Sequence, residues 1–409
     1  MNIAEKLEKI NTIKNEIRSA IESKSVVISK TTPFEQYPEK INEIDNTASP
    51  KVSVRKYLGD KKDFDNFNVF TEINTYMYAN TKNATKLVYE TGSRVNNRYP
   101  ATGQDPRAKA TRIVEVDISA ARALEGAFSG FTKLTDDGFP ERIETNILTY
   151  TADHLFAGCE NITRCPNIIL PNKIISLSYA FKGCKKLVEP PTNRNILGTA
   201  NASYMFSGCV GLTDFSAEMP NLYNALCMFE ECENLTSVNI SQRRPLTYVL
   251  SMFNGCTKLT RITGVYTNTV STSYVFSGCS SLVEIPDNFF GTLEGLGDDS
   301  TLYESQSTFK GCSALTRVPY MNLSQARRLD NIFRGCTSLT DINAVGMKVS
   351  FSVADTKLDA EGLNKLFRNL ATVTDNVSIN ISGTPGEESC DKSIATEKGW
   401  RVISTGVRT

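Results

Sequence analysis

A single histidine, His154, stands among the 409 residues, and no two cysteines are spaced as Cys-x-x-Cys. That scarcity argues against a zinc site, whose usual donors are paired thiolates and imidazoles. Basic and acidic residues balance at 45 each, so the formal net charge is zero and no global field steers the chain toward nucleic acid or an anionic membrane. Long apolar runs are also missing. The opening stretch MNIAEKLEKINTIKNEIRSAIESK is charged throughout, unlike a signal peptide or a membrane span. The expectation is a chain made in the cytoplasm and not inserted into a membrane. Phosphate-loop, dinucleotide-binding and nucleophile-elbow motifs do not occur. The pairs Asp136-Asp137 and Asp298-Asp299 fall in turns, where solvation explains them, and His154 lies beside a recurring Phe, where a structural role fits. The reading is a non-enzymatic chain without a cofactor or metal.

What is present is a phrase that returns. Phe-x-Gly-Cys-x-x-Leu or a close variant starts at Phe128, Phe156, Phe181, Phe206, Phe229, Phe253, Phe276, Phe309 and Phe333. Phe131 takes the Cys slot in the first copy and Glu231 the Gly slot in the fifth. The spacings of 28, 25, 25, 23, 24, 23, 33 and 24 residues mark stacked turns of a solenoid. Past each Leu, alternation such as Val238 and Ile240 predicts a short strand with one buried face. The Phe-x-Gly-Cys segment is the tight flanking turn, with Phe inward and Gly allowing angles that a Cβ resists. Nine turns at the ~4.8 Å strand spacing give a rod or shallow arc roughly 40 Å long. Eight of the 11 cysteines occupy one column. Stacking sets them about 5 Å apart and pointing the same way, which is poor disulfide geometry and predicts a reduced, buried ladder.

Two features of the repeats are candidates for recognition. The strand position two residues after each Leu reads Arg164, Glu189, Asp214, Ser237, Arg261, Glu284, Arg317 and Asp341, with frequent alternation of sign. It is either a polar recognition strip or a cross-strand charge ladder that stabilises the sheet. The long repeat after Phe276 carries Phe289, Phe290, Leu293 and Leu296 between glycines and acids. These residues form an apolar binding loop or fold back to bury themselves.

The ends differ from the middle. Residues 1–45 read as a helical leader: Ile3, Leu7, Ile10, Ile17 and Ile21 follow steps of four and three, a short seam with Leu at a and Ile at d that points to three or more strands. An amphipathic helix packed on its own chain is the alternative. A second helix is expected over 34–44. Residues 46–120 contain strand-like runs, including FNVFTEINTYMYA, TKLVYET and RIVEVDI, and read as a small β-rich module or N-terminal cap. The solenoid then spans 121–350. Residues 351–409 form a terminal repeat: a helix over LDAEGLNKLFRNLATV capped by Asp359, a strand NVSINIS, a short helix near 393–398 and a strand WRVIS. Ile379 and Val402 are one repeat period apart, so this segment reads as the cap that closes the sheet edge.

The Phe-x-Gly-Cys-x-x-Leu-Thr phrase, with the tail SGTPG…SIATEKGWRVIS, resembles the BspA-type leucine-rich repeats of surface proteins from anaerobic gut and oral bacteria and their phages. The likeness covers roughly 120–405 and implies a leucine-rich repeat solenoid that binds carbohydrate or protein. It identifies no binding residues. The segment IKNEIRSAIESKSVVISKTTPFEQYPEKINEI resembles the helical leader of tail and fibre proteins of tailed bacteriophages. Together these resemblances imply a virion fibre or appendage protein: a homo-oligomer, with a trimer favoured, joined to other virion structural proteins through residues 1–45 and displayed toward a host-surface glycan or protein. A bacterial cell-surface adhesin and a purely structural fibre are the alternatives.

Overall fold

The computed structural model describes residues 124–405, apart from 125, 146–149, 172–173, 192–195, 270 and 291–303, together with four strands nearer the N-terminus. Ile3, Leu7, Ile10, Ile17 and Ile21, the helix expected over 34–44, Leu293 and Leu296 lie outside the described residues. The four strands are β1 (Val52–Ser53), β2 (Val69–Thr75), β3 (Thr85–Thr91) and β4 (Ala110–Asp117). They form an antiparallel sheet in the order β1-β4-β3-β2, and Ile113 of β4 joins the core of the repeats.

The repeats form a β-dominated solenoid. All nine recurring phenylalanines are buried, and each ring lies against the next along the axis, with centroids from 5.3 Å (Phe128 to Phe156) to 6.1 Å (Phe276 to Phe309). Offset ring pairs add about 0.5–1.5 kcal/mol each beyond the area they bury. After each Leu the chain enters a parallel ladder. Asp214, Ser237 and Arg261 are in register across β7 (Asp214–Glu218), β8 (Ser237–Ser241) and β9 (Arg261–Thr263), and Arg317 pairs with Asp341 across β10 (Arg317–Asn322) and β11 (Asp341–Val345). Proline explains where strands fail to extend. Cys165-Pro166 and Pro190-Pro191 leave only the single bridge Arg164 to Glu189, Pro286 follows Ile285, and the register of β10 slips at Pro319. A further short pair, β5 (Ile143–Glu144) and β6 (Ile168–Ile169), runs parallel at the N-terminal end of the repeats.

The flanking turns hold a regularity absent from the sequence reading. Besides the glycine two residues after Phe, the residue two before it is left-handed in all nine turns: Gly126 in the first, at φ 65°, and in the other eight the non-glycine residues His154, Tyr179, Tyr204, Cys227, Ser251, Tyr274, Ser307 and Asn331, with φ between 50° and 59°. Such angles cost L-residues of this kind on the order of 1 kcal/mol each and persist only where the surroundings hold them. What holds them is a row of bonds to the following turn. The N–H groups of His154, Phe156 and Gly158 donate to the carbonyls of Ser178, Ala180 and Lys182 at 2.8, 2.7 and 2.7 Å, and the same triplet recurs down to Ser307, Phe309 and Gly311.

The cysteine column is buried, and its cysteines are not joined in disulfides. The sequence reading treated these cysteines as small apolar fillers. The structure adds a polar role, because each Sγ donates to the carbonyl of the Phe one turn earlier, from Cys159 on Phe128 at 3.0 Å to Cys336 on Phe309 at 3.1 Å. The same contact links Cys184, Cys209, Cys232, Cys256, Cys279 and Cys312 to their preceding turns. Burial pushes the thiols of Cys232 and Cys336 up to about 12 and the others of the column from Cys184 to Cys312 well above their ordinary range. A thiol at about 12 is thiolate in roughly one molecule in ten thousand at pH 8. Mass spectrometry after alkylation at pH 8 should therefore find the column unmodified in the folded chain and fully modified in guanidinium. Rapid labelling of Cys256 in the folded chain would contradict this packing.

The long repeat corrects the binding-loop reading of Phe289 and Phe290. Both side chains are buried, at 0% and 7% exposure, and their rings pack on Phe276 and Phe309. The reason is geometric: the spacing between these two repeat phenylalanines is the widest of the stack, and the extra rings fill the volume so opened. Thr267 fixes the segment by donating its N–H and its hydroxyl to the Phe289 carbonyl, both at 2.8 Å.

At the C-terminal end, β12 (Phe351–Ser352), β13 (Ser378–Asn380) and β14 (Arg401–Ile403) form a parallel sheet in which Ile379 stands opposite Val402. Helix α1 (Ala360–Asn369) is capped by Asp359, whose carboxylate accepts the Gly362 N–H at 2.8 Å, and it buries Leu363, Leu366 and Phe367. A one-turn helix, α2 (Ser393–Thr396), precedes β14.

Candidate functional site

The strip of charged strand residues lies along one face of the solenoid. Arg164, Glu189, Asp214, Arg261, Glu284 and Arg317 are exposed, while Asp341 is half-buried. Phe215, Val238 and Ile262, next in the chain, are buried, and that alternation turns the preceding side chain outward. The charges do not neutralise one another along the column. Among the described residues, the one ion pair between strip neighbours is Arg317 with Asp341 at 3.7 Å, and each has a shorter partner elsewhere: Arg317 with Asp287 and Asp341 with Lys365, both at 2.5 Å. No ion pair joins Arg164 to Glu189 or Arg261 to Glu284 among those residues.

Asp214 acts differently, as a clamp on the next turn. It accepts from the Ser237 hydroxyl at 2.6 Å and the Thr236 hydroxyl at 3.0 Å, and these bonds hold its carboxyl below the usual carboxylate range. Asp136, the same position one turn before Arg164, accepts from the Thr163 N–H at 2.9 Å and the Thr163 hydroxyl at 2.5 Å. The neighbouring threonines form their own ladder. Thr236 and Thr260 each donate to the carbonyl of the threonine one turn earlier, at 3.0 and 3.1 Å. Val188 and Val283 break that ladder and leave apolar surface beside Glu189 and Glu284.

A cavity of about 590 Å³ opens at the N-terminal end of the strip, where Asp137, Glu141 and Arg164 converge with Phe139, Pro166 and Asn167. Four charged groups, Asp136 among them, beside an aromatic ring and a proline suit a polar ligand with an apolar side. No group of three or more His, Cys, Asp or Glu among the described residues is placed to hold a metal ion, and no helix among them is long and apolar enough to cross a membrane.

Two further exposed surfaces escaped the sequence reading. His154, Tyr179 and Tyr204 stack face to face at 4.5 and 4.6 Å, and the Lys182 ammonium lies 5.3 and 4.8 Å from the two tyrosine ring centres. Beside them, Tyr150, Ile175, Tyr223 and Tyr248 are about half exposed along a second bridged line that runs Thr151, Ser176, Asn201, Asn224 and Tyr248. The signal was present in YTADHLF, SYAF and SYMF, where tyrosine or histidine recurs at fixed offsets from the repeat Phe.

Comparison with known proteins bears on the repeats. Residues 113–221 and 149–283 match the family described as BspA type leucine rich repeat region. A leucine-rich repeat protein from Bacteroides ovatus, known from its crystal structure, is 15% identical over 70% of this chain and 76% of its own, with a TM-score of 0.28. No curated protein matches the chain. The nine stacked Phe turns thus contain, over residues 113–283, a region similar to the BspA-type leucine-rich repeats.

Proposed function

We propose that this chain is a non-enzymatic attachment protein whose repeats meet a glycan or protein on a cell surface, carried on a fibre or appendage of a tailed bacteriophage. The observation behind the attachment reading is the strip: Arg164, Glu189, Arg261 and Glu284 are exposed and form no ion pairs with one another, so an outside ligand can use them. The fibre setting rests on the likeness of residues 1–45 to phage leaders. Trimeric association through Ile3, Leu7, Ile10, Ile17 and Ile21, and docking on other virion proteins, belong to that setting. A bacterial cell-surface adhesin is the second reading, and the BspA-type match over residues 113–283 favours it.

Deleting residues 1–45 tests the setting. A fibre protein without its leader should be missing from purified particles while keeping the thermal transition of the repeats. An adhesin should instead be found on the bacterial envelope and in no particle. Attachment itself is read from the full chain on a glycan array and on whole cells. Failure to bind either would leave only a structural fibre.

A further inference from the structure

The flanking turns have a polarity that the fold leaves open at one end. From the first turn (Leu124, Gly126, Phe128, Gly130) to the eighth (Ser305, Ser307, Phe309, Gly311), alternate N–H groups donate to carbonyls of the following turn. In a β-ladder successive peptide dipoles oppose one another, but here they point the same way, and their sum resembles a helix dipole with its positive end toward the C-terminus. The ninth turn ends the row. Among the described residues, no acceptor receives the N–H groups of Asn331, Phe333 or Gly335, the counterparts of Ser307, Phe309 and Gly311. The next segment pairs forward instead, Val353 to Asn380 and Asp355 to Ser382, and its Lys357 N–H goes to the Leu339 carbonyl.

Exposure and charge agree with an open end. Gly335 is exposed where the other glycines of its column are half-buried. Arg334, between the open donors of Phe333 and Gly335, is exposed and makes no ion pair among the described residues. The nearby acid Asp330 is held by Arg328 at 3.1 Å, while Asp355 in the following segment is exposed.

We propose that this end binds an oxyanion group: the N–H of Gly335 and the Arg334 guanidinium beside it take a sulfate or carboxylate, favoured by the aligned dipoles behind. The proposal rests on the attachment reading only for the carrier of the anion, a sulfated or uronic sugar of a surface glycan. Anion capture stands or falls separately.

The test uses the full chain labelled with ¹⁵N-glycine and titrated with sodium sulfate at constant ionic strength, the Gly311 and Gly335 signals being identified by single alanine variants. The Gly335 amide signal should shift saturably while that of Gly311 stays in place. R334Q should weaken the midpoint roughly tenfold, and K310Q, the same position one turn earlier, should leave it unchanged. A uniform or non-saturating drift of all glycines would mean bulk screening and overturn the site, as would an R334Q midpoint equal to that of the parent. A saturable Gly335 shift in a chain that binds no cell or glycan would uphold the site while removing the attachment reading. Displacement of sulfate by a sulfated oligosaccharide, and not by its desulfated form, identifies the carrier.

Discussion

Phe253→Ala is expected to cost about 3–5 kcal/mol and to divide one unfolding transition into two. The ring is fully buried and lies 5.7 Å from both Phe229 and Phe276, nearly parallel to each. Its removal leaves a cavity at the middle of a one-dimensional stack, where each turn is stabilised only by its two neighbours. Both interfaces weaken together, so the turns before Phe253 and those after it lose their coupling. The Cys256 thiol donates to the Phe229 carbonyl and the Cys279 thiol to the Phe253 carbonyl, and these bonds fray with the packing. Calorimetry of the variant should show a split or broadened endotherm. A single, undiminished transition would mean that the stack does not carry stability along the axis.

Gly264→Ala is expected to destabilise by roughly 3 kcal/mol, whereas Gly255→Ala, in the repeated phrase itself, should cost only about 1 kcal/mol. Both glycines are left-handed, at φ 71° and 79°. They differ in what a Cβ would meet. At Gly264 it would stand 2.4 Å from the Ile240 carbonyl oxygen, a backbone atom fixed in β8. At Gly255 the nearest atom is the Glu231 Cα at 3.5 Å, an ordinary contact. Glu231 shows that the column accepts a side chain, since it occupies the glycine slot of its own turn at φ 58°. Urea unfolding of the two variants measures the difference, and equal losses would remove the steric argument.

The stack was legible because periodicity is a property of the sequence. Phe, Gly, Cys and Leu recur at fixed offsets, and only repeated burial of the same four roles explains that. Asp359 was legible as a cap, and Ile379 and Val402 as strand neighbours, for equally local reasons. The left-handed column was not, because residues as different as His154, Cys227 and Ser251 occupy it, and their shared backbone angle comes from the row of bonds between turns. The thiol bonds were hidden too, since composition cannot tell a buried filler from a buried donor. For the strip, the sequence supplied positions and signs but not partners. Arg317 turns to Asp287 and Asp341 to Lys365, groups whose proximity depends on the path of a loop and on the docking of α1. Phe289 and Phe290 read as a loop tip or as a loop folded back to bury itself, and the rings of Phe276 and Phe309 on which they pack decide for burial.

The central claim is that the exposed strip recognises a partner and does not merely stabilise the sheet. The most direct measurement compares the R164A/R261A double variant with the parent chain in binding to host cells or to a glycan identified on the array, alongside the thermal midpoint of each. Exposed charges of this kind contribute about 0–1 kcal/mol to folding, so the midpoint should hardly move while binding falls by tenfold or more. A lowered midpoint with undiminished binding would contradict the claim and make the strip a stabilising charge ladder.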